Sequence, residues 1–450
     1  MTSIPKSSDQ TRRLIQRNAL LLISDLEFGG AQRQVVELAN YMDPERYQMH
    51  VCSLADYIPL SERLVDAKNR LHIVRKGHKF NFLVVLKLAR LLRKLRVDVL
   101  HTFLFDAEFF GRLAGRLAGV PAIIGSERNT GYVSRCRNRW ALGLTRWCPH
   151  LIIANSGAGA EFNSRTFHQP PEKYRVVHNG VDTDRFFPRE SGEVRRELNL
   201  EPRHRIVGMF GSFKPQKNHP MLLRAARSIL DRVPDARFLF VGDELFMGMS
   251  GSVTCKAEIM ALVDQLGLRD FCIFVGNRED VENWYPACDL TVLPSLFEGT
   301  PNVVLESMAS GVPVVATDVS DNRHVIPDGQ VGFIVPSGNE RLLAERVCQI
   351  LEDAPMRTRM SHAARDWVRR GFSGPQLAKK VATVYDEVLA GRSSSQSTRN
   401  PKRDFPVVAV APVTQSRNSL TPLPLAQLLA CHDSLPASDP SWQPQSELHN

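Results

Sequence analysis

The stretch Phe297-Glu298-Gly299-Thr300-Pro301-Asn302-Val303-Val304-Leu305-Glu306, followed by Pro313-Val314-Val315-Ala316, decides the fold. Gly299, Thr300 and Pro301 are poor helix formers, whereas Val303 to Ala309 can run helically, so a loop turning into a helix is expected. A helix start carries backbone N–H groups with no internal partner, and with the dipole these attract phosphate. Glu298 falls in the loop ahead of those donors, and Glu306 falls about two turns into the helix. A carboxylate accepts hydrogen bonds from paired hydroxyls, such as those of a ribose. One compact element can therefore hold the sugar, diphosphate and ribose of a nucleotide-sugar, although two glutamates on a solvated helix face give the same spacing. The flanks favour the first reading. Leu290-Thr291-Val292-Leu293 before the loop and Val312 to Ala316 after the helix read as buried strands of a parallel sheet. Ligands of such sheets lie at the carboxyl ends of the strands.

Residues 289–319, DLTVLPSLFEGTPNVVLESMASGVPVVATDV, resemble the E-x7-E donor-binding region of retaining GT-B glycosyltransferases, specifically family 4. The resemblance extends over residues 18–390. It implies an α/β protein of two doubly wound, Rossmann-like domains facing a central cleft. It also implies transfer of a sugar, with retention, from a nucleotide diphosphate-sugar to an acceptor hydroxyl. Within this pattern Glu298 orients the donor sugar, Glu306 holds the ribose, and Gly299, Thr300, Asn302 and Val303 form the phosphate-facing loop and helix start.

Upstream, Ala19 to Ile23 reads as a first strand, and Phe28-Gly29-Gly30-Ala31-Gln32 leads into a helix. Adjacent glycines there allow close backbone approach to a ligand, or simply a tight turn. The turn resembles the family's N-terminal Gly-Gly loop, which faces donor phosphates and acceptor. It lacks the G-x-G-x-x-G of a nicotinamide site. Val97 to His101 reads as a strand with His101 at the carboxyl edge of the sheet, facing the cleft. Ala122 to Ser126 is another strand, leading to Glu127-Arg128-Asn129. Much of the family has at the Arg128 position a histidine that touches the transferred sugar. Arginine cannot shuttle a proton near neutral pH, so the expectation is a charge-binding Arg128, with the histidine's role vacant or shared with His101.

The domain boundaries expected are a flexible N-terminus at 1–17, an acceptor-side domain at 18–180 and an interdomain segment at 181–204. A nucleotide-sugar domain at 205–372 follows, then a helix at 373–390 crossing back to the first domain and a disordered tail at 391–450, where Ser, Pro, Gln and Thr dominate. In the second domain, Gly211 at a strand end followed by Lys214 and Lys217 suits a diphosphate, a lysine being a mobile point charge. The resemblance places Lys217 in the family's diphosphate clamp. Ser212 stands where many members have arginine, so Lys214 is expected to supply part of that charge. Gly276-Asn277-Arg278 resembles the loop that meets the nucleobase. Asp182-Thr183-Asp184 matches a metal-binding D-x-D only in spelling; it lacks the preceding strand, and a turn or capping role fits better. No metal and no cofactor are expected.

A chain of 450 residues suits two domains. The eight cysteines are scattered without a C-x-x-C or a Cys/His cluster, which fits a reducing compartment. No run approaches the roughly 20 apolar residues needed to span a bilayer. The formal charge of +9 is uneven: residues 61–150 hold 18 Lys+Arg against six Asp+Glu. The leucine-rich, cationic stretch 81–96 and the basic, aromatic stretch 135–147 lie within it. The expected location is cytoplasmic, peripheral on an anionic membrane surface through the first domain, where a lipid-linked or polysaccharide acceptor is presented. No recognition helix or aromatic-basic sheet face points to nucleic acid. Two alternatives stay open: a nucleotide-sugar epimerase of similar architecture, which would need no acceptor, and a non-catalytic sugar-nucleotide or glycan-binding relative, motivated by Arg128 and Ser212.

Overall fold

The computed structural model describes residues 16–77, 81–128, 136–244 and 252–397. The expected N-terminal extension up to residue 15 and the tail from 398 lie outside them. Among the described residues, thirteen strands form two all-parallel sheets. The first contains β1 (Arg17–Ile23), β2 (Tyr47–Ser53), β3 (Leu71–Ile73), β4 (Val99–Phe103), β5 (Ala122–Glu127), β6 (Leu151–Ala154) and β7 (Tyr174–Val176), in the order β3-β2-β1-β4-β5-β6-β7. The second contains β8 (Arg205–Phe210), β9 (Ala236–Val241), β10 (Cys272–Phe274), β11 (Leu290–Leu293), β12 (Val314–Thr317) and β13 (Gly332–Val335), in the order β10-β9-β8-β11-β12-β13.

Parallel sheets need helices on both faces, and the strand sequences show it. Successive residues of β1 point to opposite sides: Ala19, Leu21 and Ile23 enter one apolar cluster, Leu20 and Leu22 another. In β8, Val207 and Met209 face one cluster while Ile206 and Phe210 face the other. Both faces are therefore core.

The strand order reverses between β1 and β4 in the first sheet and between β8 and β11 in the second. Loops diverge at these switch points and leave a crevice beyond the strands' carboxyl ends. Gly29-Gly30 lies past β1; Lys214 and Lys217 lie past β8; the loop 294–301 lies past β11. Three of the four switch-point edges thus carry segments singled out from the sequence.

The chain crosses between the two sheets twice. The second crossing follows helix Ala354–Gly371, where Val181 and Ser373 form an isolated parallel bridge, so the two crossings run side by side. Helix Gly374–Ser397 then packs Leu377, Ala378, Val381, Val384, Tyr385 and Val388 into the first sheet's cluster. Those positions share one helical face. The helix continues past residue 390 to Ser397.

Candidate active site

Glu298 sits in the loop beyond β11 and is 7% exposed. Its Oε1 accepts from Lys217 Nζ at 2.7 Å and from Ser295 Oγ at 2.7 Å. Lys217 and the first acid of the pair are thus in direct contact. Lys214 lies near enough to feel both: burial lowers its pKa, Lys217 lowers it further, and Glu298 opposes them. Pro301 starts helix Asn302–Ala309, and no side chain caps it, so the first-turn N–H groups keep their capacity for an anion. The Val303 side chain packs against the domain core, so only its backbone is placed at the helix start.

Glu306 lies further along this helix, 3% exposed. Its Oε1 accepts from Arg33 Nη1 at 2.8 Å and its Oε2 from Tyr285 OH at 2.8 Å. The Tyr285 ring is stacked on Phe210 at 3.9 Å between centroids, which fixes the hydroxyl on the carboxylate. Burial, then the charge of Glu306, pushes this phenol well above its ordinary range. It therefore stays a donor. Arg33 belongs to helix Gly30–Tyr41 of the opposite domain. Burial alone would lower its pKa, and Glu306 with Tyr285 more than offsets that.

The two domains meet through a polar seam around these acids. Asn302 Nδ2 donates to Gly30 O at 3.2 Å, which joins the Gly-Gly turn to the helix start. Gly29 is the residue before that helix and has extended backbone. Arg128 Nη1 donates to Asn179 Oδ1 at 2.8 Å, and Asn179 Nδ2 donates in turn to Thr300 O at 2.8 Å and Asn302 Oδ1 at 2.7 Å. Thr300 Oγ1 donates to the carbonyl of Asn155. Arg128 also stands over the Phe103 ring, 4.9 Å from its centroid. Burial lowers its guanidinium to about 10, so it remains a cation at neutral pH.

His101 is not at the sheet edge. β4 runs two residues further, to Phe103, and His101 is 0% exposed in its interior. Its Nδ1 meets Tyr385 OH at 2.8 Å and its Nε2 meets Ser126 Oγ at 2.7 Å. Burial, then the neighbouring Arg128 charge, drives its pKa well below the usual imidazole value. It is a neutral ring locked beneath Arg128 rather than a group facing the cleft. Arg278 is also engaged elsewhere: it pairs with Glu197 and lies 4.2 Å from the Trp284 ring centroid. Asn277 beside it is exposed. Asp182 acts as a turn cap, its Oδ1 accepting from Tyr41 OH at 2.7 Å and from the backbone of Asp184 and Arg185.

Arg33, Tyr285, Asn155, Asn179 and Ser295 escaped the sequence reading. Arg33 alone carried a local signal, a cation one turn into a helix start, at the positive end of the dipole. Among the described residues, no group of three or more His, Cys, Asp or Glu is placed to hold a metal ion.

Both halves of the chain match known family models: residues 28–185 that of glycosyltransferase family 4, and residues 190–367 that of glycosyl transferases group 1. The chain is a glycosyltransferase similar to family 4. This glycosyltransferase is 24% identical over 378 residues to the UDP-Gal:alpha-D-GlcNAc-diphosphoundecaprenol alpha-1,3-galactosyltransferase of Escherichia coli, which covers 81% of this chain and 95% of the relative. It is 29% identical over 217 residues to the lipopolysaccharide core biosynthesis mannosyltransferase LpsB of Rhizobium meliloti, covering 48% of this chain and 61% of that one. Among solved structures, Anabaena HepE in complex with UDP-glucose superposes with a TM-score of 0.72 at 22% identity, over 82% of this chain and 99% of HepE. That likeness establishes the GT-B fold of the glycosyltransferase.

Proposed function

We propose that this glycosyltransferase moves a sugar, with retention of configuration, from a nucleoside diphosphate-sugar to a hydroxyl of a lipid-linked glycan during surface polysaccharide synthesis. The observation that carries the reading is the Lys217–Glu298 contact beside the uncapped helix start, with Arg128 tied to Asn179 and through it to Thr300 O of the same loop. A departing nucleoside diphosphate develops negative charge. Lys217, the helix N–H groups and Lys214 are arranged to receive it without a metal. Glu298, held by Lys217 and Ser295, has the fixed position needed to orient a sugar hydroxyl, and Glu306 reaches the ribose. Arg128 supplies a fixed cation from the acceptor-side domain.

The lipid-linked acceptor is supported by the Escherichia coli relative, whose name states a diphosphoundecaprenol acceptor, and by the outer face of the first domain. Phe82, Leu83 and Leu86 are 57%, 62% and 43% exposed at the start of helix Leu83–Lys94, whose other face is buried. Trp140, Leu144 and Trp147 are also exposed on that domain. Apolar rings and leucines amid excess cations suit an anionic bilayer surface. No helix among the described residues is long and apolar enough to cross a membrane.

The test is turnover of labelled UDP-, GDP- and ADP-sugars with and without polyprenyl-diphosphate-linked glycans. Transfer only when acceptor is added, with the anomeric configuration of the donor kept in the product, is the expected result. Donor conversion without acceptor would indicate an epimerase, and binding without either reaction a non-catalytic protein.

A further inference from the structure

The acid assigned to the donor ribose is already occupied from the other side of the cleft. Both oxygens of Glu306 are engaged within the protein, Oε2 by Tyr285 of its own domain and Oε1 by Arg33 of the opposite one. A ribose diol approaching this carboxylate must compete with the Arg33 guanidinium for Oε1. Arg33 has a second acceptor within reach. Glu37 lies one turn further along the same helix, the spacing at which side chains meet. Burial, then the nearby charges of Glu306 and Asp182, pushes its carboxyl well above the ordinary range. An added cation there relieves that shortage of positive charge. Gln34 Nε2 already contacts Glu37 Oε2 at 3.0 Å.

We propose that Arg33 is a donor-displaced latch, which closes on Glu306 in the free enzyme and transfers to Glu37 when the ribose of a nucleoside diphosphate-sugar takes its place. The inference rests on the assignment of Glu306 to the ribose. Neighbouring bonds make the latch part of a wider closure. Asn302 holds Gly30 O, and Arg63 Nη2 of the first domain donates to Glu279 O of the second at 3.1 Å. Arg185 Nη2 donates to the same carbonyl at 3.1 Å. Apparent affinity for the donor is then reduced by the fraction of molecules in which the latch is closed.

Calorimetry of the full chain with UDP, GDP and ADP, joined to small-angle scattering of the free protein, tests the latch. Arg33→Met should tighten binding of the preferred nucleotide on the order of tenfold and enlarge the free protein's radius of gyration. Arg33→Lys, which keeps the cation, should stay nearer to wild type. Glu37→Gln, which weakens the second resting place, should lower affinity. Weaker binding in Arg33→Met would make the arginine a direct nucleotide ligand, and unchanged binding would leave nothing to unlatch; either result overturns the proposal. Glu306→Ala tests the underlying assignment separately. Lost affinity there without a gain in Arg33→Met removes the latch alone, whereas wild-type affinity in Glu306→Ala removes the ribose assignment and the latch together.

Discussion

Glu298 and Glu306 differ in what surrounds them, and so in what their loss should do. Glu298 is tied to Lys217 and Ser295 within one domain. Glu298→Gln keeps the shape, weakens the ion pair and should lower turnover more than nucleotide-sugar affinity; steady-state kinetics beside calorimetry separates the two, and wild-type turnover would refute the assignment. Both acids were legible because they stand eight positions apart on a loop and the helix it becomes. His101 was misread for the opposite reason. Its partners, Ser126 and Tyr385, lie 25 and 284 positions away, so no local pattern distinguishes a strand end from a strand middle capped by a distant helix. His101→Ala should remove two buried hydrogen bonds and leave their partners unpaired. Urea unfolding should show a loss of about 2–4 kcal/mol, with nucleotide affinity of the folded protein retained.

At the scale of elements, the loop 294–301 owes its position to a neighbour from the other sheet. A Cβ added at Gly299 would lie 2.4 Å from Asn155 Oδ1. Gly299 is therefore a glycine for lack of room, not for backbone freedom. Gly299→Ala should keep both domains folded but force the loop off Asn155, lowering turnover by about tenfold or more, as misplacement of about 1 Å at a reacting centre does. Kinetics with a thermal-unfolding control checks it, and full activity would show that the loop position does not depend on its fit against Asn155. Strand and helix types were readable wherever the apolar run was long and buried on both faces, as in β1 and β11. β3 was not: three residues at the sheet's edge, none of them buried, offer too little periodicity to stand out. Arg278 shows the same limit, since its aromatic partner Trp284 and its carboxylate Glu197 come together only through tertiary packing.

The whole molecule carries its positive charge unevenly, and the exposed Phe82, Leu83 and Leu86 lie within the basic region 61–150. In the fold Val84, Leu88, Ala89 and Leu92 are buried, while Phe82, Leu83 and Leu86 near the start of the helix are left outward. Purified protein should co-sediment with anionic vesicles more than with neutral ones, with binding reversed by salt; no binding to either at low salt would favour a water-soluble acceptor. Paired α/β halves were legible as a repeated alternation of strand and helix, whereas the seam between them was not, because its bonds from Asn155, Asn179, Gly30 and Arg33 to the loop and helix of Thr300, Asn302 and Glu306 join residues more than a hundred positions apart. The double crossing of the chain has a practical consequence for recombining similar glycosyltransferases. The last helix belongs by sequence to the second half and by packing to the first, and Gly374 comes so close to Tyr41 that a Cβ would stand 2.2 Å from its ring. A hybrid enzyme joined at one point near residue 181 would set a foreign helix against a native sheet. Exchange of second domains therefore calls for two junctions, one on each side of the Val181–Ser373 bridge, with the closing helix inherited from the parent of the first domain.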